Sequence, residues 1–226
     1  MKKMTNSLVL SSVLAASSLV SGAAMAGSLS GNVGVMSDYI FRGIDQATSA
    51  TASGGVDYDL GNGLSVGAWG ADVGDGLEVD VYGSYSGEVK DFGYSVGITT
   101  YNYTGDTFDG NYKEINLGVS KGPISASYNK GTHEDAAGAD EDFTFISLSF
   151  ELGNASATYG KWDSSEDVSA LDGSYIELGY GLESGGFDIG VALIRSDKDL
   201  SGIVDGDGDD AADMSLTLTM GKSFDL

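Results

Sequence analysis

The chain has 226 residues, with 34 Asp and Glu against 11 Lys and Arg, 35 glycines, one proline and no cysteine. A formal charge of −23 argues against a nucleic-acid partner, because phosphate contacts need clustered Lys and Arg. Without cysteine there is no disulfide framework, thiol nucleophile or cysteine-ligated metal, and the length suits one barrel or sandwich, or two small domains.

The first element is a leader. Lys2 and Lys3 form a positive start, Leu8 to Val20 a short serine-interrupted apolar run, and Ala24-Met25-Ala26 a small-residue cleavage site, which together predict a secretory signal. Cleavage after Ala26 leaves one domain, 27–226, and loss of the two lysines takes the charge from −23 to −25. From there period-two alternation runs to the end of the chain, and it predicts strands at 29–43, 52–60, 64–73, 77–86, 92–103, 112–120, 124–131, 143–152, 155–162, 174–182, 187–195 and 214–226. Most are near the ~9–11 residues that a tilted strand needs to cross hydrocarbon.

The connections are more informative than the alternation, which a soluble sandwich would share. Tight turns at Gly61-Asn62-Gly63, 87–91, Lys121-Gly122-Pro123, Gly153-Asn154 and 183–186 take turns with mostly longer, acidic links at 45–51, 104–111, 132–142, 163–173 and 196–213. The link at Gly74-Asp75-Gly76 is a short exception. That order predicts an all-β fold, a closed antiparallel transmembrane β-barrel of about 12 strands with short periplasmic turns and longer external loops. Closure is required because lipid offers no hydrogen bonds to an open strand edge.

One parity carries the apolar side chains outward, with Tyr39, Phe41, Tyr58, Tyr85, Tyr94, Tyr128, Tyr159, Tyr180, Phe187 and Phe224 expected to gather toward the headgroups. The other parity turns Asp57, Asp59, Glu78, Asp80, Glu114, Glu151, Glu177 and Asp188 inward. Arg42 joins them, on the same face as Asp38 but four residues away, too far for the two to pair. An acidic lumen concentrates cations without any specific binding site.

The C-terminal Met214, Leu216, Leu218, Met220, Phe224 and Leu226 share one parity. Thr219, Gly221, Phe224 and Leu226 stand where the assembly signal of bacterial outer-membrane proteins has a polar residue, a glycine and two apolar ends, with Leu in place of the commoner final Phe. The pattern resembles that signal and implies recognition by the outer-membrane insertion machinery. Near the other end, Ser37-Asp38-Tyr39-Ile40-Phe41-Arg42-Gly43-Ile44, followed by Gly55-Val56-Asp57-Tyr58 and Gly67-Ala68-Trp69, resembles the first strands of the TorF-type porin family. The resemblance implies an outer-membrane channel and carries no catalytic residues.

Other chemistry is sparse. Asp205, Asp207 and Asp209 open like a calcium loop, but Asp210 stands where that loop needs glycine and Leu216 where it needs Glu. A solvated link is expected there, with loose divalent-ion binding that bridges lipopolysaccharide phosphates as the alternative. His133, the sole histidine, sits among acids and is expected at the surface, so no nucleophile–histidine pair stands out. The sequence therefore predicts a cofactor-free, non-enzymatic barrel in the bacterial outer membrane that passes small solutes or ions and prefers cations. A non-conducting surface barrel that binds ions, lipopolysaccharide or a partner is the alternative, followed by a secreted soluble β-sandwich.

Overall fold

Alternating residues pair from end to end into a closed wall. In the computed structural model, which describes residues 27–47, 49–105, 110–134, 140–164, 171–201, 203–204 and 210–226, the wall strands are β1 (Ser28–Met36), β2 (Thr51–Gly61), β3 (Leu64–Asp72), β4 (Leu77–Val89), β5 (Phe92–Tyr103) and β6 (Asn111–Lys121). They continue as β7 (Ile124–Glu134), β8 (Asp140–Leu152), β9 (Ala155–Ser164), β10 (Gly173–Ser184), β11 (Phe187–Ser196) and β12 (Asp213–Asp225). Each is antiparallel to its neighbours in the chain, and β1 closes the ring against β12 through Ser30–Asp225 to Met36–Thr219. The 12-stranded antiparallel barrel expected from the sequence is therefore present. No helix among the described residues is long and apolar enough to cross a membrane.

At one end every connection is a two-residue turn. The five turns join β2–β3, β4–β5, β6–β7, β8–β9 and β10–β11, and positive φ at Asn62, Gly63, Lys90, Gly122, Gly153, Gly185 and Gly186 matches the twist of the strands they join. Both ends of the barrel wall lie here too. The opposite end carries the longer links, with 73–76 the short exception, and a short helix, Lys198–Ser201, lies in the last of them.

The outer face is apolar around the ring. Val56, Val81, Ile98, Leu117, Leu148, Leu178, Leu193 and Leu218 are all exposed, and so large a continuous apolar surface has no place in water. The inner face divides by height. Toward the turn end it carries small polar groups that bond across strands, among them Ser65–Ser84, Ser127–Ser147, Ser149–Thr158 and Thr99–Asn116. Toward the link end it carries buried aromatic and aliphatic residues, including Trp69, Phe143, Phe145, Trp162, Tyr175 and Ile194.

The first strand departs from expectation. The wall part of 29–43 stops at Met36, where the Ser37 amide bonds the Leu218 carbonyl and the Ser37 hydroxyl accepts the Leu218 amide. Beyond this last rung the chain turns into the bore as a hairpin of Tyr39–Phe41 and Ile44–Ala47. Tyr39 and Phe41 are thus not among the outward aromatics, and Tyr39 is fully buried.

The two faces make different demands on a charge. Leu148→Lys at mid-wall should cost about 2–4 kcal/mol of folding free energy in lipid, and Ser147→Lys on the inner face a small fraction of that. Denaturant titration of each variant in vesicles measures both; equal costs would reverse the face assignment.

Candidate functional site: an internal hairpin across the bore

A two-residue turn reverses the hairpin. Arg42 and Gly43 both have positive φ, 49° and 84°, a conformation that suits glycine and strains arginine. The strain at Arg42 is held by contacts on the far wall. Its Nη1 and Nη2 donate to Glu114 Oε1 and Oε2 of β6 at 2.6 and 3.1 Å, a bidentate pair with little solvent access. The guanidinium also lies 4.4, 4.7 and 5.4 Å from the ring centres of Phe145, Phe41 and Trp162, which adds cation–π attraction in a desolvated setting.

The backbone of the turn is held as well. Trp162 Nε1 donates to the Arg42 carbonyl at 2.9 Å, and the Ser196 hydroxyl donates to the Gly43 carbonyl. A Cβ at Gly43 would lie 2.7 Å from the Tyr175 side chain, so only glycine fits there. The hairpin leaves the wall between β1 and β2 and touches down on β6, β8, β9, β10 and β11. It crosses the bore.

Its first residue is held nearer home. The Tyr39 hydroxyl donates to Glu78 Oε1 of β4 at 2.9 Å, and its ring meets Trp69 edge-on at 5.8 Å. At the base of the hairpin, partial burial and then the Asp38 carboxylate raise the Asp45 carboxyl above its ordinary range; the Ala47 amide opposes the shift and Asp213 adds to it. An acid so shifted costs the seated hairpin free energy as pH rises past its ordinary value.

The inward acids fall into two groups. Glu78, Asp80, Glu114 and Glu177 are buried at 1, 0, 4 and 8% exposure. Three of these four lie in the contact network of the hairpin or beside it. Glu114 also accepts the hydroxyl of Tyr101 and the amide of Asn116. Asp80 faces Trp69 and Tyr101 across its two strand pairs. Among the described residues both Asp80 oxygens and Glu78 Oε2 are buried without a hydrogen-bond partner.

Asp59, Glu151 and Asp188 belong to the inward parity but stand exposed near the two-residue turns, where the Asp59 carboxylate caps the Gly61 amide at 2.7 Å. Asp57 lies between the groups and accepts the Tyr82 hydroxyl at 2.6 Å. Arg42 pairs with Glu114, on a strand of the far wall, and not with Asp38. Among the described residues it is the one cation directed into the bore.

His133 also departs from expectation. It lies within β7, is buried, stacks on Tyr112 at 4.3 Å, and places Nδ1 3.5 Å from Glu141. At the C-terminus Phe224 and Leu226 are exposed on the outer parity, while Thr219 and Gly221 pair with Met36 and Gly34 of β1. Asp205, Asp207 and Asp209 lie outside the described residues, as does the leader. Among the described residues no cluster of three or more His, Asp or Glu is arranged for a metal.

The residues that sequence reasoning missed are Tyr39 of the hairpin and the hairpin's partners Trp69, Phe145, Trp162, Tyr175 and Ser196. Two signals were present. The predicted 29–43 strand was longer than a crossing requires, and Arg42-Gly43 stands between two short apolar runs as a two-residue hairpin turn does.

The sequence profile of the Gcw_chp family, described as bacterial proteins of unknown function, matches residues 21–224. The chain belongs to this family. No curated protein matches it. Among solved structures, the NanC porin is 10% identical with a TM-score of 0.56, covering 88% of this chain and 100% of its own. A membrane protein crystallised in meso is 11% identical with a TM-score of 0.54, covering 88% and 84%. Acinetobacter baumannii OccAB4 is a longer chain, 62% covered, at 14% identity and a TM-score of 0.43 over 87% of this one. The Gcw_chp chain thus has the barrel fold seen in outer-membrane porins.

Two substitutions separate the roles of the buried acids. Glu114→Gln leaves the Arg42 charge unpaired and should weaken hairpin docking by about 3–5 kcal/mol, seen as faster amide exchange across Tyr39–Ala47. Asp80→Asn replaces a buried carboxyl group whose oxygens have no hydrogen-bond partner among the described residues, and it should leave the melting temperature in detergent unchanged or higher. A marked fall for Asp80→Asn would mean that the carboxyl group is hydrogen-bonded in the folded barrel and stabilises it.

Proposed function

We propose that this Gcw_chp protein is a narrow outer-membrane channel for small solutes and ions, whose bore is stoppered at the link end by the internal hairpin. The observation that carries the proposal is the uneven filling of the bore. One half is lined by serine, threonine, asparagine and glycine and is partly accessible, whereas the other is crossed by the hairpin held on Glu114 and Glu78. An inert barrel has no need of a polar half-lumen, and a freely open pore has no need of a latch. The apolar outer face and the fold shared with NanC support a membrane setting. The likeness of Ser37–Ile44 to the TorF-type porins favours the same reading, with that segment as the stopper.

In this reading the two-residue turns face the periplasm and the longer acidic links face outward. Asp57, Asp59, Glu151 and Asp188 form an acidic entry, so that cations are preferred before the latch is reached. The C-terminal Thr219, Gly221, Phe224 and Leu226 serve recognition by the insertion machinery. The protein acts without a cofactor and not as an enzyme.

Planar-bilayer recording tests the channel. Wild type should show small, cation-preferring steps, and Arg42→Ala should raise the conductance severalfold. The triple amide variant Asp59→Asn, Glu151→Gln, Asp188→Asn should move the reversal potential toward anions. The shift should be greater at 0.01 M than at 0.1 M salt, as the screening length falls from ~30 to ~10 Å. No conductance from either wild type or Arg42→Ala would leave the surface-barrel alternative in place.

Assembly has its own test. Phe224→Asp sits near the interface, where a charge costs a folded barrel only ~0–1 kcal/mol. Severe loss of membrane-inserted protein in cells would therefore report failed recognition, and normal levels would remove the assembly-signal assignment.

A further inference from the structure

We propose that the outer wall of strands β6 to β11 is a docking surface for a phosphorylated glycolipid, with Lys113, Lys130, Lys161 and Arg195 meeting its phosphates. The proposal rests on the membrane-barrel reading above and uses a different surface from the acidic links.

All four side chains are exposed and lie on the outward parity. Counted from the strand residues at the two-residue turns, Lys121, Ile124, Ala155 and Phe187, they stand eight, six, six and eight residues up their strands. The pairing sets them level. Lys113 faces Thr132, two residues beyond Lys130; Lys130 faces Thr144, two before the Ile146 that faces Lys161; Lys161 faces Ser174, two before the Ile176 that faces Arg195. A row that steps down the register in this way keeps constant height on a barrel of tilted strands.

The row is confined to one arc. At the height of the row the rest of the ring presents no cation among the described residues: Thr100 faces Lys113 on one side, and Val79 and Leu216 stand level with it farther round. A generic interfacial belt of snorkelling lysines would encircle the barrel. Here a chain of charge −23 gathers four of its cations on about half of its circumference.

The ligand class follows from what adjoins the row. Directly below on the same parity are Ile115, Tyr128, Tyr159 and Leu193, all exposed, a surface for acyl chains lying along the wall. A soluble anion has no use for that surface, and a zwitterionic lipid brings its own ammonium to its phosphate. A lipid with uncompensated phosphates uses both parts.

The cations are available to it. Lys113 and Lys130 meet Glu134 and Asp142 at 3.6 and 3.5 Å through exposed side chains, contacts weak enough to exchange. Lys161 and Arg195 form no ion pair among the described residues. They lie on alternate strands, about 10 Å apart across the sheet, a spacing suited to two phosphates at the ends of one headgroup.

Native mass spectrometry of the full barrel in detergent tests this, with a diphosphorylated glycolipid, its dephosphorylated form and a zwitterionic phospholipid as probes. Wild type should retain the diphosphorylated lipid about tenfold better than either of the others, since charge-assisted pairs to phosphate are the strong ones. The variant K113Q/K130Q/K161Q/R195Q should lose that preference while it folds and conducts as wild type. The variant K90Q/K121Q/K222Q, altered at the turn end, should keep it. Equal retention by the two variants would overturn the proposal. A wild type that folds in detergent without headgroup preference overturns this inference alone, whereas a chain that stays soluble and folded without detergent overturns the membrane reading as well.

Discussion

Closure of β1 on β12 is the constraint from which the rest of the structure follows. A strand edge left open to hydrocarbon would strand a row of amides and carbonyls, each at a cost of several kcal/mol. Pairing Ser30–Met36 with Thr219–Asp225 removes that edge. It also fixes which side chains can meet inside, because every register around the ring depends on its neighbours. The short first strand is part of this. Ser37 ends the ladder by offering its own amide and hydroxyl to Leu218, so the chain leaves the wall with the last rung satisfied. A strand that ran on to Gly43 would have covered the outer face with Phe41 and left the bore empty.

The hairpin is then held by position more than by strength. A buried Arg–carboxylate pair contributes little net stability, because desolvation offsets the attraction, yet removing one partner is costly. Glu114 and Arg42 therefore favour one seated geometry over near misses without making it permanent. Aromatic contacts from Phe145, Trp162 and Tyr175 supply area, and Gly43 lets the backbone approach Tyr175 where any Cβ would be refused. The uncompensated Asp80 works against the packing around it. A seated hairpin with a costly buried carboxylate close by is less firmly closed than an apolar plug of the same size.

The wall was legible in the sequence because a strand that crosses lipid must obey period two over its whole length. Leu77, Val79 and Val81 against Glu78 and Asp80 leave no second register, since a one-residue slip would put two acids in hydrocarbon. The links were legible by composition. The hairpin was not, because alternation says which face a residue takes but not whether its strand remains in the wall. Tyr39, Phe41 and Arg42 alternate as wall residues would. What separates them is the complementary lining, Trp69, Phe143, Phe145, Trp162 and Tyr175, spread over four other strands and visible only once registers are known. His133 failed for a related reason: β7 runs three residues past its expected end, which carries the histidine from a link into the barrel.

Charge is arranged by the same geometry. Most acids occupy the inner face, the links and the rim at the link end, whereas apart from Arg42 the wall's cations face outward. The basic arc and the hairpin's landing site share the strands β6 to β11, seen from opposite sides. Lys113 and Glu114 are consecutive residues of β6, one directed to the membrane and the other to the latch. Because successive residues of a strand must point to opposite faces, a shift of β6 along its neighbours would move both together. Anything that stiffens this arc from outside thereby steadies the carboxylate that holds Arg42, and the membrane-facing and lumen-facing chemistry of this barrel are coupled through the pleat of a single strand.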